Sequence, residues 1–327
     1  MPARAKKKLE RSKVTVKPGA LKAGDRVALL CPSSRPESAA TVERCRRVVE
    51  EMGFQPVIGK HVLSMHGYMA GTDQERLADL ENALADPSIA GIFCLTGGFG
   101  ALHLIEHLDY ELIASNPKLV AGCDDNTSLL LAIQQRCNLV TFHAPNLDQI
   151  SSRFSFERLK EAVTARQPLK PISALDLPDG EVAAGAFYAP VRGAAEGKLI
   201  GGNLTALVSL MGTPFEPGFD ECVLFLEDKN ERNDILDRWF TTLHISGALA
   251  RINGVGLGQF YNCGPKDSHN LLSLEDLFGE RLKALGKTSC FGLPLGQSAR
   301  SATVPLGIRV ALDTDSGQMD FAEAALV

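Results

Sequence analysis

The first half of the chain alternates short apolar runs with longer segments whose apolar residues are spaced three or four positions apart. The short runs are typical of buried strands and the spaced segments of amphipathic helices. Strands that alternate with helices predict a parallel sheet with helices on both faces, which binds ligands at the carboxyl ends of its strands. The predicted strands cover residues 22–32, 56–58, 91–95, 118–123 and 139–142, and predicted helices include 37–52, 102–108, 125–133, 156–165 and one that starts at a capping box of Thr72 and Glu75.

The central feature of the sequence is residues 118–130, where a predicted buried strand turns directly into a predicted helix. Such a turn projects one side chain over the end of the sheet, beside a helix N-terminus that favours anions. In a hydrolase this position holds a nucleophile, usually Ser, whereas here it is Asp124. We expect Asp124 to be ionised, because the helix dipole stabilises its anion. Asp125, Asn126 and Thr127 accept free amides at helix starts, so Asp125 is predicted to cap this helix.

Two adjacent glycines, Gly97 and Gly98, follow the predicted strand 91–95. They would let backbone amides approach a ligand closely, as in a cradle for an oxyanion or a carboxylate. A plain tight turn is the alternative interpretation. The spacing matches neither the dinucleotide-binding pattern nor the P-loop pattern, so no nucleotide cofactor is predicted.

The second half of the chain has a different composition, with short strand-like runs mixed with helices. Residues 167–191 are richer in Pro, Ala and Gly and lack clear periodicity, which predicts a connection between two domains. Further apolar runs at 222–226, 255–260 and 303–310 predict strands. The predicted organisation is a basic disordered arm at 1–20, an α/β domain at 21–166, a linker at 167–191 and a β-rich domain at 192–327.

Charge and composition limit the classes of partner. The formal net charge of −5 gives no global attraction to nucleic acid or to an acidic membrane. No apolar run approaches the length needed to span a bilayer, and the basic N-terminus lacks the apolar core of a secretory signal. The eight cysteines form no C-x-x-C pair and suit a reducing compartment. These features predict a cytoplasmic globular protein without nucleic-acid or membrane partners.

Ordered segments spread over residues 21–312 match the pattern of a known family: KAGDRVALLCPSS, LTGGFGALHLIEHLD, GCDDNTSLLLAI, TFHAP, GKLIGGNLTALVSLMGTP, LFLEDKNERNDILDR, GLGQF and GLPLGQSARSATVPLGIRV. In these segments the chain resembles the LD-carboxypeptidase family (peptidase family S66), which includes murein tetrapeptide LD-carboxypeptidases and microcin C immunity peptidases. The resemblance implies a flavodoxin-like, doubly wound α/β domain followed by a smaller β-rich domain. It also implies a homodimer, a murein-type peptide as ligand, and a Ser-Glu-His triad between the domains without metal or cofactor.

The resemblance carries the triad over to three positions of this sequence. The nucleophile position matches Asp124, the Glu position matches Glu227, and the His position matches Gln297. The nucleophile and the base are therefore both substituted. The Arg that precedes the glycine turn in the family is Thr96 here, so recognition of a substrate carboxylate by that Arg is not expected. The residues implied to bind the substrate or the oxyanion are Gly97, Gly98, Asp125 and His143, and no metal ligand is implied.

The two substitutions oppose hydrolysis by the family mechanism. An anion at position 124 would repel both a substrate carboxylate and a developing oxyanion. Gln297 can form hydrogen bonds but cannot shuttle a proton. Loss of either the nucleophile or the base of a triad commonly removes about a million-fold of rate. The favoured hypothesis is a non-hydrolytic family member that binds a murein-type peptide or another partner.

The alternative hypothesis is a hydrolase, acting on peptidoglycan peptides, whose chemistry has been rebuilt. Cys123 is a candidate thiolate, although its side chain is predicted to point into the fold. His143 could serve as a base or could shape the substrate site, and His269 lies in a polar loop. The carboxylates Asp124 and Glu227, together with their acidic neighbour at position 125, could share a proton or bind a hard cation.

Overall fold

The computed structural model describes residues 14–176, 187–264 and 272–327. Most of the predicted arm, part of the predicted linker, and His269 lie outside these residues. The strands in chain order are β1 Arg26–Leu30, β2 Gln55–Ile58, β3 Ile89–Cys94, β4 Leu119–Gly122, β5 Thr141–His143, β6 Ile172–Ser173, β7 Tyr188–Val191, β8 Ala194–Asn203, β9 Cys222–Lys229, β10 Gly254–Tyr261, β11 Thr288–Phe291, β12 Val304–Leu306, β13 Arg309–Asp313 and β14 Gln318–Phe321. The helices are α1 Ala39–Glu51, α2 Asp73–Ala85, α3 Ala101–Leu104, α4 Tyr110–Ser115, α5 Thr127–Cys137, α6 Arg153–Thr164, α7 Leu204–Val208, α8 Asn233–Ile245, α9 Ala248–Arg251 and α10 Leu274–Leu285.

Local sequence explains where the first helices begin. Ser38 precedes α1, and its Oγ accepts the Thr41 N–H at 3.3 Å. Thr72 precedes α2 and forms the predicted capping box, in which Thr72 Oγ1 accepts the Glu75 N–H and a Glu75 carboxylate oxygen accepts the Thr72 N–H. The capping box predicted from the sequence is confirmed.

The first sheet has the strand order β12-β5-β4-β3-β1-β2. Its first five strands in chain order are mutually parallel, and β12 pairs antiparallel with β5. The order β2-β1-β3-β4-β5 is that of flavodoxin-like folds. The predicted flavodoxin-like, doubly wound α/β class is therefore confirmed.

The second sheet has eight strands in the order β6-β14-β13-β8-β9-β10-β11-β7. Strands β8, β9, β10 and β11 are parallel, and the outer strands pair antiparallel with them or with each other. This sheet is the β-rich part that the family resemblance implies. It contains strands from both sides of the segment that is not described, including β6 at Ile172–Ser173.

The prediction of a single strand at 303–310 is wrong, because the structure has two strands there, β12 and β13. β12 joins the first sheet and β13 joins the second. The break lies at Gly307, whose φ of 95° is in the left-handed region that favours glycine. One short stretch of chain thus connects the two sheets.

The two sheets meet where the polar strand ends of the first approach β8 and β9 of the second. The Asn203 N–H at the end of β8 donates to Thr127 Oγ1 at 3.2 Å, and the His143 ring packs edge-on against Phe225 of β9 with centroids 4.9 Å apart. Buried apolar side chains from both sheets form one continuous core. Among the described residues, no helix is both long enough and apolar enough to cross a membrane.

Candidate functional site

The turn after β4 holds Asp124 in an unusual backbone conformation. Its φ is 61°, in the left-handed region that non-glycine residues rarely adopt. Asp124 opens a short 3₁₀ turn, Asp124–Asn126, that leads directly into α5. A strained strand-to-helix turn of this kind is how hydrolases expose a nucleophile above the end of a sheet. The sequence therefore predicted the place of Asp124 correctly.

The carboxylate of Asp124 fills the glycine turn formed by Gly97 and Gly98. Its Oδ2 accepts the Gly98 N–H at 3.0 Å. A Cβ atom at Gly97 would lie only 2.3 Å from the same Oδ2, so a side chain at 97 is incompatible with this arrangement. The neighbouring Thr96 is buried and donates its hydroxyl to the Ser34 carbonyl at 2.5 Å. The amide that could polarise a ligand is thus already bonded to Asp124.

Burial raises the pKa of Asp124 from its ordinary 3.8 to about 7. The negative charge of Glu227 adds to this effect, whereas the hydrogen bond from the Gly98 N–H opposes it. The prediction that the helix terminus keeps Asp124 ionised therefore does not hold fully near neutral pH, where the raised pKa leaves the carboxyl group partly protonated. Desolvation and a like charge outweigh one backbone hydrogen bond.

Asp125 caps a different helix from the one predicted. Its Oδ2 accepts the Ser33 hydroxyl at 2.6 Å and the Ala101 N–H at 2.7 Å, so it caps α3. The start of α5 has no side-chain cap. Burial raises the pKa of Asp125, and the hydrogen bonds from Ser33 and Ala101 oppose that rise. Asp125 thus connects, through one carboxylate oxygen, the segments that follow β1, β3 and β4.

Glu227 and Gln297 lie together in the interior, as the resemblance implies for two triad positions. Glu227 is fully buried near the end of β9, and Gln297 is 4% exposed. Gln297 Nε2 donates to both carboxylate oxygens of Glu227, at 3.4 Å and 3.2 Å. Gln297 Oε1 accepts from Gln149 Nε2 at 3.2 Å. Both ends of the Gln297 amide are therefore occupied.

His143 lies beside Glu227. It ends β5 opposite Gly122, is fully buried, and places Nε2 3.5 Å from a Glu227 carboxylate oxygen. That distance lies within ion-pair range, but neither ring nitrogen makes a hydrogen bond to any described residue. A buried ring of this kind does not reach a ligand in solvent, so its position favours a structural role.

The thiol of Cys123 is part of the core. Cys123 is fully buried, and its Sγ–H donates to Gln149 Oε1 at 3.3 Å. Burial raises the pKa of this thiol well above its ordinary value. A protonated, inaccessible thiol is a poor nucleophile.

Three side chains important to the site were not singled out from the sequence. Asp228 accepts from Asn203 Nδ2 at 3.1 Å and from the N–H and hydroxyl of Thr205 at 3.0 Å and 2.8 Å, and burial raises its pKa to about 7. Arg76, almost fully buried in α2, donates to the Gly100 carbonyl at 2.8 Å and also to that of Pro32. The third is Gln149, described above.

The acidic side chains of the site hold hydrogen-bond donors rather than an arrangement suited to an ion. In the described ranges, no group of three or more His, Cys, Asp or Glu side chains is placed to hold a metal ion. The proposed carboxylate cluster of Asp124, Asp125 and Glu227 is divided, because Asp125 bonds toward Ser33 and α3.

Comparisons with known proteins agree with this architecture. Residues 27–144 match the model of the LD-carboxypeptidase N-terminal domain, and residues 196–312 match that of the LD-carboxypeptidase C-terminal domain. A probable murein peptide carboxypeptidase of Bacillus subtilis is 34% identical over 308 residues, covering 91% of this chain and 92% of the relative. The murein tetrapeptide carboxypeptidase of Pseudomonas aeruginosa is 33% identical over 298 residues, covering 88% and 93%.

A solved structure shares the whole fold. The structure of MccF in complex with glutamyl sulfamoyl guanosine superposes with a TM-score of 0.85 at 24% identity, covering 95% of this chain and all of the other. At that identity the likeness shows the fold alone. The two domain models match most of the chain, and the matches to the two relatives cover 92% and 93% of the relatives' own lengths. These findings show that this chain belongs to the LD-carboxypeptidase family, peptidase family S66.

Proposed function

We propose that this chain is a non-hydrolytic member of the LD-carboxypeptidase family that binds a murein-type peptide at the site around Asp124, Glu227 and Gln297. The observation that carries the proposal is the hydrogen bond from the Gly98 N–H to Asp124 Oδ2, at 3.0 Å. The side chain at the nucleophile position occupies the amide that would otherwise stabilise an oxyanion. A carboxylate there is both a poor nucleophile and an internal competitor for that amide.

The lack of a base supports the same proposal. The Gln297 side chain is neutral at all ordinary pH values and donates its amide N–H groups to Glu227. His143 is buried beside Glu227, and Cys123 is buried as a thiol. Loss of a nucleophile or base costs about 10⁶ in rate in known triads, so background hydrolysis would be too slow to serve as a function.

The second candidate function is hydrolysis by carboxylate chemistry. It is favoured by the raised pKa of Asp124, about 7, to which Glu227 contributes through its charge. A carboxyl group poised near neutral pH could act as a general acid or base. Chemistry at Cys123 is disfavoured by its burial.

The experiment that separates the two candidates uses the murein tetrapeptide L-Ala-D-Glu-meso-diaminopimelate-D-Ala. Release of D-Ala and calorimetric binding are measured for the native chain, for Asp124→Asn, and for the pair Asp124→Ser with Gln297→His. Binding without release by the native chain supports the proposal. Release by the native chain that disappears in Asp124→Asn contradicts it and supports carboxylate chemistry.

Three further features are proposed from the family and the composition: a homodimer, a cytoplasmic location, and domains at 21–166 and 192–327 joined by a linker at 167–191. The eight cysteines, none of which forms a disulfide in the structure, support the location. Light scattering coupled to size exclusion tests the dimer. Limited proteolysis tests the linker, with first cleavage expected within 167–191 but outside β6 and β7, which belong to the second sheet.

A further inference from the structure

The side chain of Gln297 is held by a chain of hydrogen bonds that crosses between the two parts of the molecule. The chain runs from Cys123 Sγ–H to Gln149 Oε1, from Gln149 Nε2 to Gln297 Oε1, and from Gln297 Nε2 to Glu227. Cys123 and Gln149 belong to the first half of the sequence, and Glu227 and Gln297 to the second. The bonds join residues up to 148 positions apart.

The direction of each hydrogen bond in this series is fixed by the other hydrogen bonds that the same side chains make. Gln149 Oε1 also accepts the Asn146 N–H at 3.3 Å, so two donors hold the oxygen end of that amide. The nitrogen end must then face Gln297 and donate to it. Because the oxygen of Gln297 is taken in this way, its nitrogen faces Glu227, which can only accept when ionised.

We infer that Gln149 is a positioning residue that dictates the hydrogen-bonding role of the side chain at position 297. This inference rests on the proposed function, since it explains how the site is kept without a base. An imidazole at 297 has two ring nitrogens, one of which can donate while the lone pair of the other accepts. One would donate to Glu227, and the lone pair of the other would accept the N–H of Gln149. That lone pair is the one a general base uses.

The substituted site therefore has three parts rather than two. Asp124 occupies the glycine turn, Gln297 replaces the base, and Gln149 removes the lone pair of any base placed at 297. The ionisable groups around this position include Glu227 on β9, His143 at the end of β5, Cys123 and Asp124 after β4, Asp148 beside Gln149, and Asp228 beside Glu227. None of them changes in the variants used for the test.

The test measures the pKa of the imidazole introduced by Gln297→His, followed by NMR with histidine labelled at Cε1. Three variants are compared: the single variant Gln297→His, the double variant Gln297→His with Gln149→Met, and the double variant Gln297→His with Gln149→Glu. A donor to the lone pair stabilises neutral imidazole, so Gln149→Met is expected to raise its proton affinity about tenfold. Gln149→Glu keeps the acceptor for Cys123 and adds an anion beside the ring, so it is expected to raise the proton affinity further.

The control is Gln259→Met in the Gln297→His chain. Gln259 is another buried glutamine beside the same loop, and its Oε1 accepts from Ser298 rather than from residue 297. It is expected to leave the pKa of the imidazole unchanged. If Gln149→Glu does not fold, Gln149→Met still decides, because removing the donor alone is expected to raise the pKa of the imidazole.

Equal pKa values in the three chains, or a lower value with Gln149→Met, would overturn the role assigned to Gln149. This result is separate from the proposed function, which fails if the native chain releases D-Ala. Hydrolysis by the native chain together with the expected order of pKa values would reject the non-hydrolytic proposal and leave the positioning role in place.

Discussion

Asp124 combines a strained backbone, a carboxyl group and one amide partner, and its neighbour Gly97 is adapted to it. A Cβ at Gly97 would lie 2.3 Å from Asp124 Oδ2 and 2.6 Å from Asp124 Cβ. The φ of Gly97 is not in the left-handed region, so the clash itself would cause any loss of stability. Gly97→Ala is expected to lower the free energy of unfolding by about 2 kcal/mol in urea titrations.

A double-mutant cycle tests whether Asp124 causes that loss. In an Asp124→Gly background the atoms that clash are gone, so Gly97→Ala should cost much less than in the native chain. Gly218→Ala is the matched control, since its Cβ would meet nothing within 4 Å. An equal cost of Gly97→Ala in both backgrounds would contradict the predicted contact.

The raised pKa of Asp124 makes stability depend on pH. Its folded pKa, about 7, lies above its ordinary 3.8, so the folded state holds the proton more tightly than the unfolded chain does. Its contribution to stability is therefore fully present below about pH 4 and is lost as the pH rises through 7. Asp124→Asn removes this loss. Compared with the native chain, the variant should gain on the order of 2 kcal/mol in free energy of unfolding between pH 5 and pH 8.

Urea unfolding at the two pH values measures this gain. Asp313→Asn is the control, because hydrogen bonds from Ser316 and Asp315 lower the pKa of Asp313 and leave it ionised throughout this interval. No change between pH 5 and pH 8 is expected for the control. The predicted titration is wrong if Asp124→Asn gains no more than Asp313→Asn does.

At the scale of elements, Arg76 of α2 forms hydrogen bonds to two loops of the site and holds them together. Its guanidinium donates to the carbonyls of Pro32, after β1, and Gly100, before α3. Asp73 supplies the ion pair on its outer side. Arg76→Met leaves both carbonyls without this donor in a buried place, which is expected to cost about 3 kcal/mol of unfolding free energy.

Thermal and urea unfolding of Arg76→Met measure that cost, and Arg47→Met on the exposed face of α1 is the control. Arg47 is 73% exposed and pairs with Glu43 at the surface, so its loss should have little effect. Similar costs for the two substitutions would mean that Arg76 does not fasten the loops.

The elements that the sequence predicts well are those determined by neighbouring residues. The buried runs of β1, β3 and β4 and the capping box at Thr72 are local patterns, and each is found in the structure. Asp124 was placed at the strand-to-helix turn for the same reason. These features need no knowledge of how distant segments meet.

The features that sequence reasoning missed depend on contacts between distant segments. Asp125 caps α3 rather than α5, because its carboxylate accepts hydrogen bonds from Ala101 and Ser33, which are distant in the sequence. Gln149 is one polar residue in a short 3₁₀ turn, and only its contact with Gln297, 148 positions away, reveals its role. Gly307 is a local signal for a break in the strand. The sequence does not show, however, that the parts before and after it pair in different sheets.

At the scale of the whole molecule, the first sheet includes a strand from the second half of the sequence. β12, from the second half of the sequence, pairs antiparallel with β5 of the first sheet, with Val304 opposite His143. Near the termini, Ala20 N–H donates to the Val327 carbonyl at 3.0 Å. Together with the contact between Gln149 and Gln297, these links make the second half part of the first half's core.

Because β12 pairs with β5, we expect that the connection through residues 177–186 is not needed to hold the two halves together. A protease site inserted there and cut after purification should leave one particle, with the size-exclusion volume of the uncut chain and a single unfolding transition. Val304→Asp places a charge at a fully buried position of β12, so the same cut should then release the halves. Separation of the cut native chain would show instead that the covalent connection holds the molecule together, and that β12 contributes little to the first sheet.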